Sequence, residues 1–229
     1  ATEQLDPGKP SDLKETFDMG FHMPADHPDV LAGKPLRGPN RHPDLEGWQA
    51  LFEQHYRDMH ALACTLLRAA ANALGVESGF FDERFVEPIS VFRMIHYPPR
   101  QTATSPEQQG AGAHTDYGSL TLLMTDGEAG LQVKPRGGDW TDVPHLPDTY
   151  VVNIGDCLMR WTNDIYVSTP HRVLVPKRQR RSLAFFLDPN PDAVIEALPG
   201  TGAVKYPPVT GAEYLKMRLD ATYKDKVTA

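Results

Sequence analysis

The sequence predicts a mainly β fold, a sandwich or jelly roll, backed by one long helix near its start and followed by a shorter helix at its end. Three observations carry that expectation. From Ile89 onward about eight short apolar runs follow one another, most of them separated by Gly or Pro turns. Twenty-one prolines and 18 glycines in 229 residues mark frequent reversals of the chain, which suits a β core better than a helical bundle. Upstream of those runs, residues 47–74 hold one unbroken helical period.

In chain order, residues 1–46 are rich in Pro, Gly, Asp and His and read as a loop-rich arm, with room for a short helix near Ser11–Thr16. Such an arm either covers a site or simply carries surface histidines. The long helix places Trp48, Leu51, Phe52, His55, Met59, Leu62, Ala63, Leu66, Leu67, Ala70 and Leu74 at helical spacing, and Gly75 is its natural stop. A shorter helix is expected over Glu77–Phe85, ended by Pro88. Ile89–Tyr97 reads as a strand stopped by Pro98-Pro99, and residues 100–112 as a loop. Strands are expected at 113–117, 119–125, 130–134, 139–143, 149–154, 156–161, 166–175 and 181–187. Thr210-Gly211-Ala212-Glu213 is a capping box that opens a C-terminal helix.

Bulk properties narrow the function. The formal net charge is −7, which argues against a surface for nucleic acid. The basic run Lys177-Arg178-Gln179-Arg180-Arg181 needs its own account, and an exposed turn is the plain one. Two cysteines, Cys64 and Cys157, make neither a disulfide framework nor a zinc spacing. No apolar run approaches membrane-spanning length and the first residues show no signal-peptide pattern, so a cytoplasmic protein without membrane contact is expected.

The chemistry-bearing stretch is His114-Thr115-Asp116, one of three His-x-Asp triplets. The other two, His27-Pro28-Asp29 and His42-Pro43-Asp44, carry a central proline, and proline interrupts a sheet ladder. Only the third leads into a β run, Ser119-Leu120-Thr121-Leu122-Leu123-Met124. Residues i and i+2 on a strand share a face, so His114 and Asp116 can reach one metal. His171, in Thr169-Pro170-His171-Arg172-Val173, must then arrive on another strand. Two histidines and one carboxylate with open positions opposite are a donor set suited to non-haem Fe(II).

A resemblance extends this reading. Gly112-Ala113-His114-Thr115-Asp116-Tyr117-Gly118-Ser119-Leu120-Thr121-Leu122-Leu123 resembles the first metal segment of the isopenicillin N synthase-like Fe(II)/2-oxoglutarate-dependent oxygenases. Tyr97-Pro98-Pro99, Gly130-Leu131-Gln132-Val133, Val151-Val152-Asn153-Ile154-Gly155-Asp156, Ser168-Thr169-Pro170-His171-Arg172-Val173 and Arg180-Arg181-Ser182 resemble further motifs of that family, in the family's order. The likeness is dense over 89–188 and loose elsewhere. It implies a double-stranded β-helix (jelly roll). The expected division is one oxygenase domain over 1–229: an arm at 1–46, helical support at 47–87, the jelly-roll core at 88–188, and a C-terminal tail with its helix at 189–229. Members of the family usually begin with an additional N-terminal segment that does not appear in this sequence.

The resemblance further implies Fe(II) held by His114, Asp116 and His171, with 2-oxoglutarate as cosubstrate and dioxygen as oxidant. The expected reaction is hydroxylation of a small molecule with release of succinate and CO2. Arg180 and Ser182 match the pair that holds the far carboxylate of the cosubstrate; the alternative for Arg180 is the basic turn. Tyr97 matches a tyrosine that contacts cosubstrate or substrate, although Ile95 stands where plant members carry asparagine, so a core tyrosine is the alternative. Leu131, Val133, Phe185 and Leu122 either wall the cosubstrate pocket or pack an ordinary β core. Asn153 either orients a metal ligand or sits in a turn. Arg93, Phe92, Tyr117 and Phe21 are candidate substrate contacts. Two other readings stay open at this point. One is an Fe(II) oxidase of the same fold that needs no 2-oxoglutarate. The other is a non-catalytic jelly-roll binding protein, against which the joint presence of His114, Asp116, His171, Arg180 and Ser182 speaks.

Overall fold

A computed structural model describes residues 3–6, 8–101 and 105–222. Parts of the expected arm, of the 100–112 loop and of the C-terminal tail therefore lie outside the described residues. In chain order the elements are β1 (Glu15–Gly20), α1 (Pro28–Leu31), α2 (Trp48–Ala73), a 3-10 turn (Asp82–Phe85), β2 (Val91–Tyr97), β3 (Gln109–His114), β4 (Leu120–Thr125), β5 (Leu131–Val133), β6 (Thr141–Asp142), β7 (Val151–Ile154), α3 (Asp156–Trp161), β8 (His171–Leu174), β9 (Arg180–Leu187), β10 (Val194–Ile195), β11 (Val209–Thr210) and α4 (Gly211–Thr222).

Two antiparallel sheets face each other. The larger runs β1-β2-β9-β4-β7 and the smaller β3-β8-β5-β6, while β10 and β11 pair separately. This is the expected jelly roll, with α2 laid on the outer face of the larger sheet. The buried stripe of α2 is Phe52, Tyr56, Met59, Ala63, Leu67 and Ala71, spaced by three and four residues as an amphipathic helix requires. It meets Phe92, Leu120, Leu122, Phe185 and Leu187 of the sheet in one core. Tyr56 sits edge-on to Phe185 with ring centroids 5.3 Å apart, and Phe52 lies 5.6 Å from Phe92. The helix stops where expected. Gly75 takes a positive φ of 72°, its N–H donates to Asn72 O, and the N–H of Val76 donates to Ala71 O, so the last carbonyls are satisfied.

Strand β9 shows how the two faces divide. Leu183, Phe185 and Leu187 pack toward α2, while Arg180, Ser182, Ala184 and Phe186 face the space between the sheets. Alternation on β4 does the same: Leu120 and Leu122 point to α2, Thr121 and Leu123 to the interior space.

Four local expectations are corrected. Residues 11–16 form no helix; β1 begins at Glu15 and pairs along β2 from Glu15↔His96 to Gly20↔Val91, so an edge of the larger sheet outweighs a weak helical preference. Only a 3-10 turn, Asp82–Phe85, occupies the expected second helix. The expected loop 100–112 ends in β3, whose small residues Gly110, Ala111, Gly112 and Ala113 carry little strand propensity and are held by pairing with β8. Residues 156–161 are the helix α3 rather than a strand, because its first N–H groups have carbonyl partners in the turn after β3: Asp156 N donates to Asp116 O at 2.8 Å and Cys157 N to Gly118 O at 2.9 Å. The C-terminal capping box forms as expected, with Thr210 N and Oγ1 both donating to Glu213 Oε2 at 2.9 and 2.8 Å.

The packing of α2 yields a stability prediction. Leu67→Ala, at a fully buried position, should cost about 2–5 kcal/mol in denaturant unfolding, whereas Leu51→Ala on the exposed face should stay within about 0.5 kcal/mol. Equal effects of the two changes would mean that α2 does not lie on the sheet as described.

Candidate active site

Pairing of β3 with β8 sets His114 directly opposite His171, and the two imidazole centroids lie 4.3 Å apart. Asp116 follows in the turn after β3. Its Oδ1 is 3.7 Å from His114 Nε2 and 3.5 Å from His171 Nε2. The turn is clamped by α3, and Gly155 is needed for the clamp: a β-carbon there would stand 2.3 Å from Gly118 O.

The donor set fits a divalent cation. His114 Nδ1 faces Gly112 O at 2.7 Å and His171 Nδ1 faces Thr169 O at 3.1 Å. A carbonyl oxygen only accepts, so Nδ1 carries a hydrogen in both rings; a neutral ring then has its lone pair at Nε2, free for a cation, whereas with no cation a protonated His171 turns an Nε2–H toward Asp116 Oδ1 at 3.5 Å. Those two nitrogens and Asp116 Oδ1 converge, with all ligand atoms of the group within 4.8 Å of one another. The other carboxylate oxygen is already committed: Asp116 Oδ2 accepts from Thr121 Oγ1 at 2.6 Å and Asn153 Nδ2 at 2.7 Å, so Oδ1 is left to face the histidines.

Electrostatics favours positive charge at that point. Burial works to raise the Asp116 carboxyl, but hydrogen bonding from His171, both imidazoles and Thr121 hold it far below the usual carboxylate range. Burial, aided by the His171 charge, pushes His114 down to about 4. Burial also opposes charge on His171, yet its hydrogen bond to Asp116 and the attraction of that carboxylate together outweigh burial and raise it.

A second feature lies in the same cavity of ≈ 330 Å³. Arg180 is 1% exposed and has no carboxylate within ion-pair distance among the described residues. Its Nε donates to Glu128 O at 3.2 Å and one terminal nitrogen reaches Ser182 Oγ at 3.5 Å. The guanidinium lies 4.9 Å from the Tyr97 ring centroid, so Tyr97 serves as a platform for it. A buried guanidinium without a counter-charge is costly unless a ligand supplies one. Arg181, one residue on, is exposed.

The structure sorts the other candidates. Leu131, Val133, Asn153 and Tyr117 line the cavity. Leu122 and Phe185 do not: both are fully buried against α2, one residue out of phase with the cavity-facing positions Leu123 and Ala184. Phe92 is likewise turned to the α2 side, where it packs on Phe52, and Phe21 packs against that same core rather than the cavity. Arg93 lines the cavity but is spoken for, donating to Asp18 through two bonds of 2.8 and 2.6 Å and lying 3.6 Å from Glu3. Tyr117 Oη pairs with Thr222 Oγ1 at 2.8 Å, beneath the Arg218 guanidinium.

Two residues of this site went unread in the sequence. Thr121 holds Asp116; a polar residue inside the apolar run Leu120–Leu123 was the available signal. Asp188 brings a carboxyl to the cavity wall, where burial and then the Asp116 charge push it up to about 8. No motif marked it. Among the described residues one further group has clustered ligand atoms, His22, His42 and Glu53. There His22 Nδ1 accepts from Asn40 N at 3.3 Å, which puts the ring hydrogen on Nε2, and His22 is exposed, unlike the three buried or half-buried donors in the cavity.

Comparison with known proteins is consistent with this geometry. The family model described as the 2OG-Fe(II) oxygenase superfamily matches residues 88–189. The 2-oxoglutarate-Fe(II) type oxidoreductase hxnY of Emericella nidulans is 36% identical over 97% of this chain and 67% of its own length. The 2-oxoglutarate-dependent dioxygenase tropC of Talaromyces stipitatus is 36% identical over 93% of this chain and 66% of its own. The chain thus spans about two thirds of these relatives. Among solved structures, a full-length Neurospora crassa protein in complex with alpha-KG and thymine superposes with a TM-score of 0.81 at 35% identity, over 97% of this chain and 71% of that one.

The hydrogen bonds to Asp116 Oδ2 make a prediction. Thr121→Val should weaken binding of a divalent metal by roughly 10- to 100-fold while leaving the circular dichroism spectrum unchanged. Unaltered affinity in a metal titration would show that Asp116 needs no such orientation.

Proposed function

The chain belongs to the 2OG-Fe(II) oxygenase superfamily as a 2-oxoglutarate-dependent dioxygenase, and from that premise we propose which of its residues do the work. His114, Asp116 and His171 hold the iron, and Arg180 with Ser182 holds the far carboxylate of 2-oxoglutarate. The substrate is a small molecule and the outcome is hydroxylation. When bound, iron and 2-oxoglutarate supply the oxidising chemistry, in which dioxygen places one oxygen atom in succinate, released with CO2, and the other in a substrate C–H bond.

The protein's own contribution is binding and orientation. Thr121 and Asn153 turn Asp116 so that one oxygen faces the metal point and the other does not. Backbone carbonyls at Gly112 and Thr169 fix the rotation of the two imidazoles. Tyr97 and Glu128 O hold the Arg180 guanidinium in place from two sides. Leu123, Leu131, Val133 and Val151 line the cavity with apolar surface, which strengthens the ion pair between Arg180 and a bound carboxylate by excluding water. The observation that carries the reading is this buried, carboxylate-free Arg180 in the same cavity as the three convergent donor atoms.

The test is spectroscopic and anaerobic. Wild type with Fe(II) and 2-oxoglutarate should develop a weak visible charge-transfer band, and succinate should form on admission of air. Arg180→Leu should retain iron but bind 2-oxoglutarate roughly thirtyfold more weakly or worse, since removing one side of a buried ion pair costs about 2–5 kcal/mol. Unchanged 2-oxoglutarate affinity in that variant would reject the role given to Arg180. Wild type with neither band nor succinate would reject dependence on 2-oxoglutarate.

A further inference from the structure

The face of β9 that carries Arg180 and Ser182 continues through Ala184 and Phe186 to Asp188, just past the strand's end. At about 3.3 Å per residue those eight steps span roughly 26 Å, so Arg180 and Asp188 mark opposite ends of one cavity wall. Asp188 is 6% exposed. Its backbone is satisfied: the N–H donates to Ser90 Oγ at 3.0 Å and the carbonyl accepts from the same hydroxyl at 3.0 Å. Only burial and the negative charge of Asp116 act on its carboxyl, with no hydrogen-bond donor and no cation among the described residues, and it lines the cavity. The carboxyl also crowds the turn that carries the metal ligand. A β-carbon at Gly118, two residues from Asp116, would stand 2.9 Å from Asp188 Oδ1 and 2.7 Å from Leu187 O, so this approach requires the glycine.

A buried carboxyl without a protein partner costs stability and has no evident structural use. Departures of this kind are characteristic of functional positions. The cavity's cations do not answer it: Arg93 is paired with Asp18 and Glu3, and Lys14 with Glu3 and Asp12. The cavity it lines is largely apolar, its wall including Leu36, Val91, Tyr117, Phe186, Leu215 and Leu219.

We propose that Asp188 is the substrate-anchoring residue, and that the substrate is a neutral, largely apolar molecule presenting an O–H or N–H hydrogen-bond donor to its carboxyl. The anchor fixes one end of the molecule beside the turn that carries Asp116, so that a neighbouring C–H bond can lie against the His114–Asp116–His171 point. An ammonium substrate fits less well, because its full charge would be desolvated between apolar walls against a single carboxyl. This inference rests on the reading of the cavity as an oxidation chamber.

The experiment compares wild type, Asp188→Asn and Asp188→Leu, each loaded anaerobically with Fe(II) and 2-oxoglutarate. Each is titrated with 4-ethylphenol and with its methyl ether, 4-ethylanisole, by the perturbation each causes in the visible band. Wild type should bind the phenol at least tenfold more tightly than the ether, since a site built around a hydrogen bond rejects the analogue that lacks it. Asp188→Asn, which keeps an acceptor, should retain the preference; in Asp188→Leu it should collapse to within about twofold. The melting temperature of metal-free Asp188→Leu should equal or exceed that of wild type, because an unpartnered buried carboxyl is removed. Equal binding of the two probes by wild type, binding of neither, or a preference retained in Asp188→Leu overturns the proposal. So does a large fall in melting temperature in both variants, which would make Asp188 structural. A missing band in wild type would instead reject the underlying chamber reading, and this one with it.

Discussion

The cross-strand pairing of β3 with β8 is the constraint on which the site depends. It sets two histidines far apart in sequence directly opposite each other, with ring centroids 4.3 Å apart. Everything else tunes that juxtaposition. The turn after β3 returns Asp116 to the same point, and α3 ties down the turn through N–H groups that a helix start must place somewhere. Gly155 lets the two segments touch. A larger residue there would push α3 away from the turn and move the carboxylate, even though it contacts no ligand atom.

The larger sheet has to serve two environments at once. Its outer face needs an apolar cover, which α2 supplies; its inner face needs charge and hydroxyls, which β9 supplies through Arg180 and Ser182. Period-two alternation lets one strand do both. The cost is a buried guanidinium and a buried carboxyl at the two ends of the same wall. On the proposed reading, 2-oxoglutarate completes the first and the substrate the second.

Much of this was legible in the sequence. The helix over 47–74, the capping box at Thr210 and the succession of short strands follow from periodicity and turn residues, and they appear in the structure nearly where expected. His114, Asp116, His171, Arg180 and Ser182 stood out through spacing and family likeness, and the fold brings all five to one cavity. What could not be read was orientation. A run such as Leu120–Leu123 does not say which of its residues face the helix, and of the two alternatives open for Leu122 and Phe185 the structure takes β-core packing, one residue out of phase with the cavity. Phe92 failed for the same reason. The segments 11–16 and 156–161 went wrong because tertiary partners, β2 in one case and the Asp116 turn in the other, decided their conformation. Thr121 and Asp188 escaped because their importance lies in what they touch or lack.

The central claim is that one metal is held between β3 and β8. Anomalous diffraction at the iron edge, on crystals grown anaerobically with Fe(II), tests it most directly. The account predicts a single strong peak bounded by His114 Nε2, His171 Nε2 and Asp116 Oδ1. A peak at His22, His42 and Glu53 instead, or none at the three cavity donors, would contradict it.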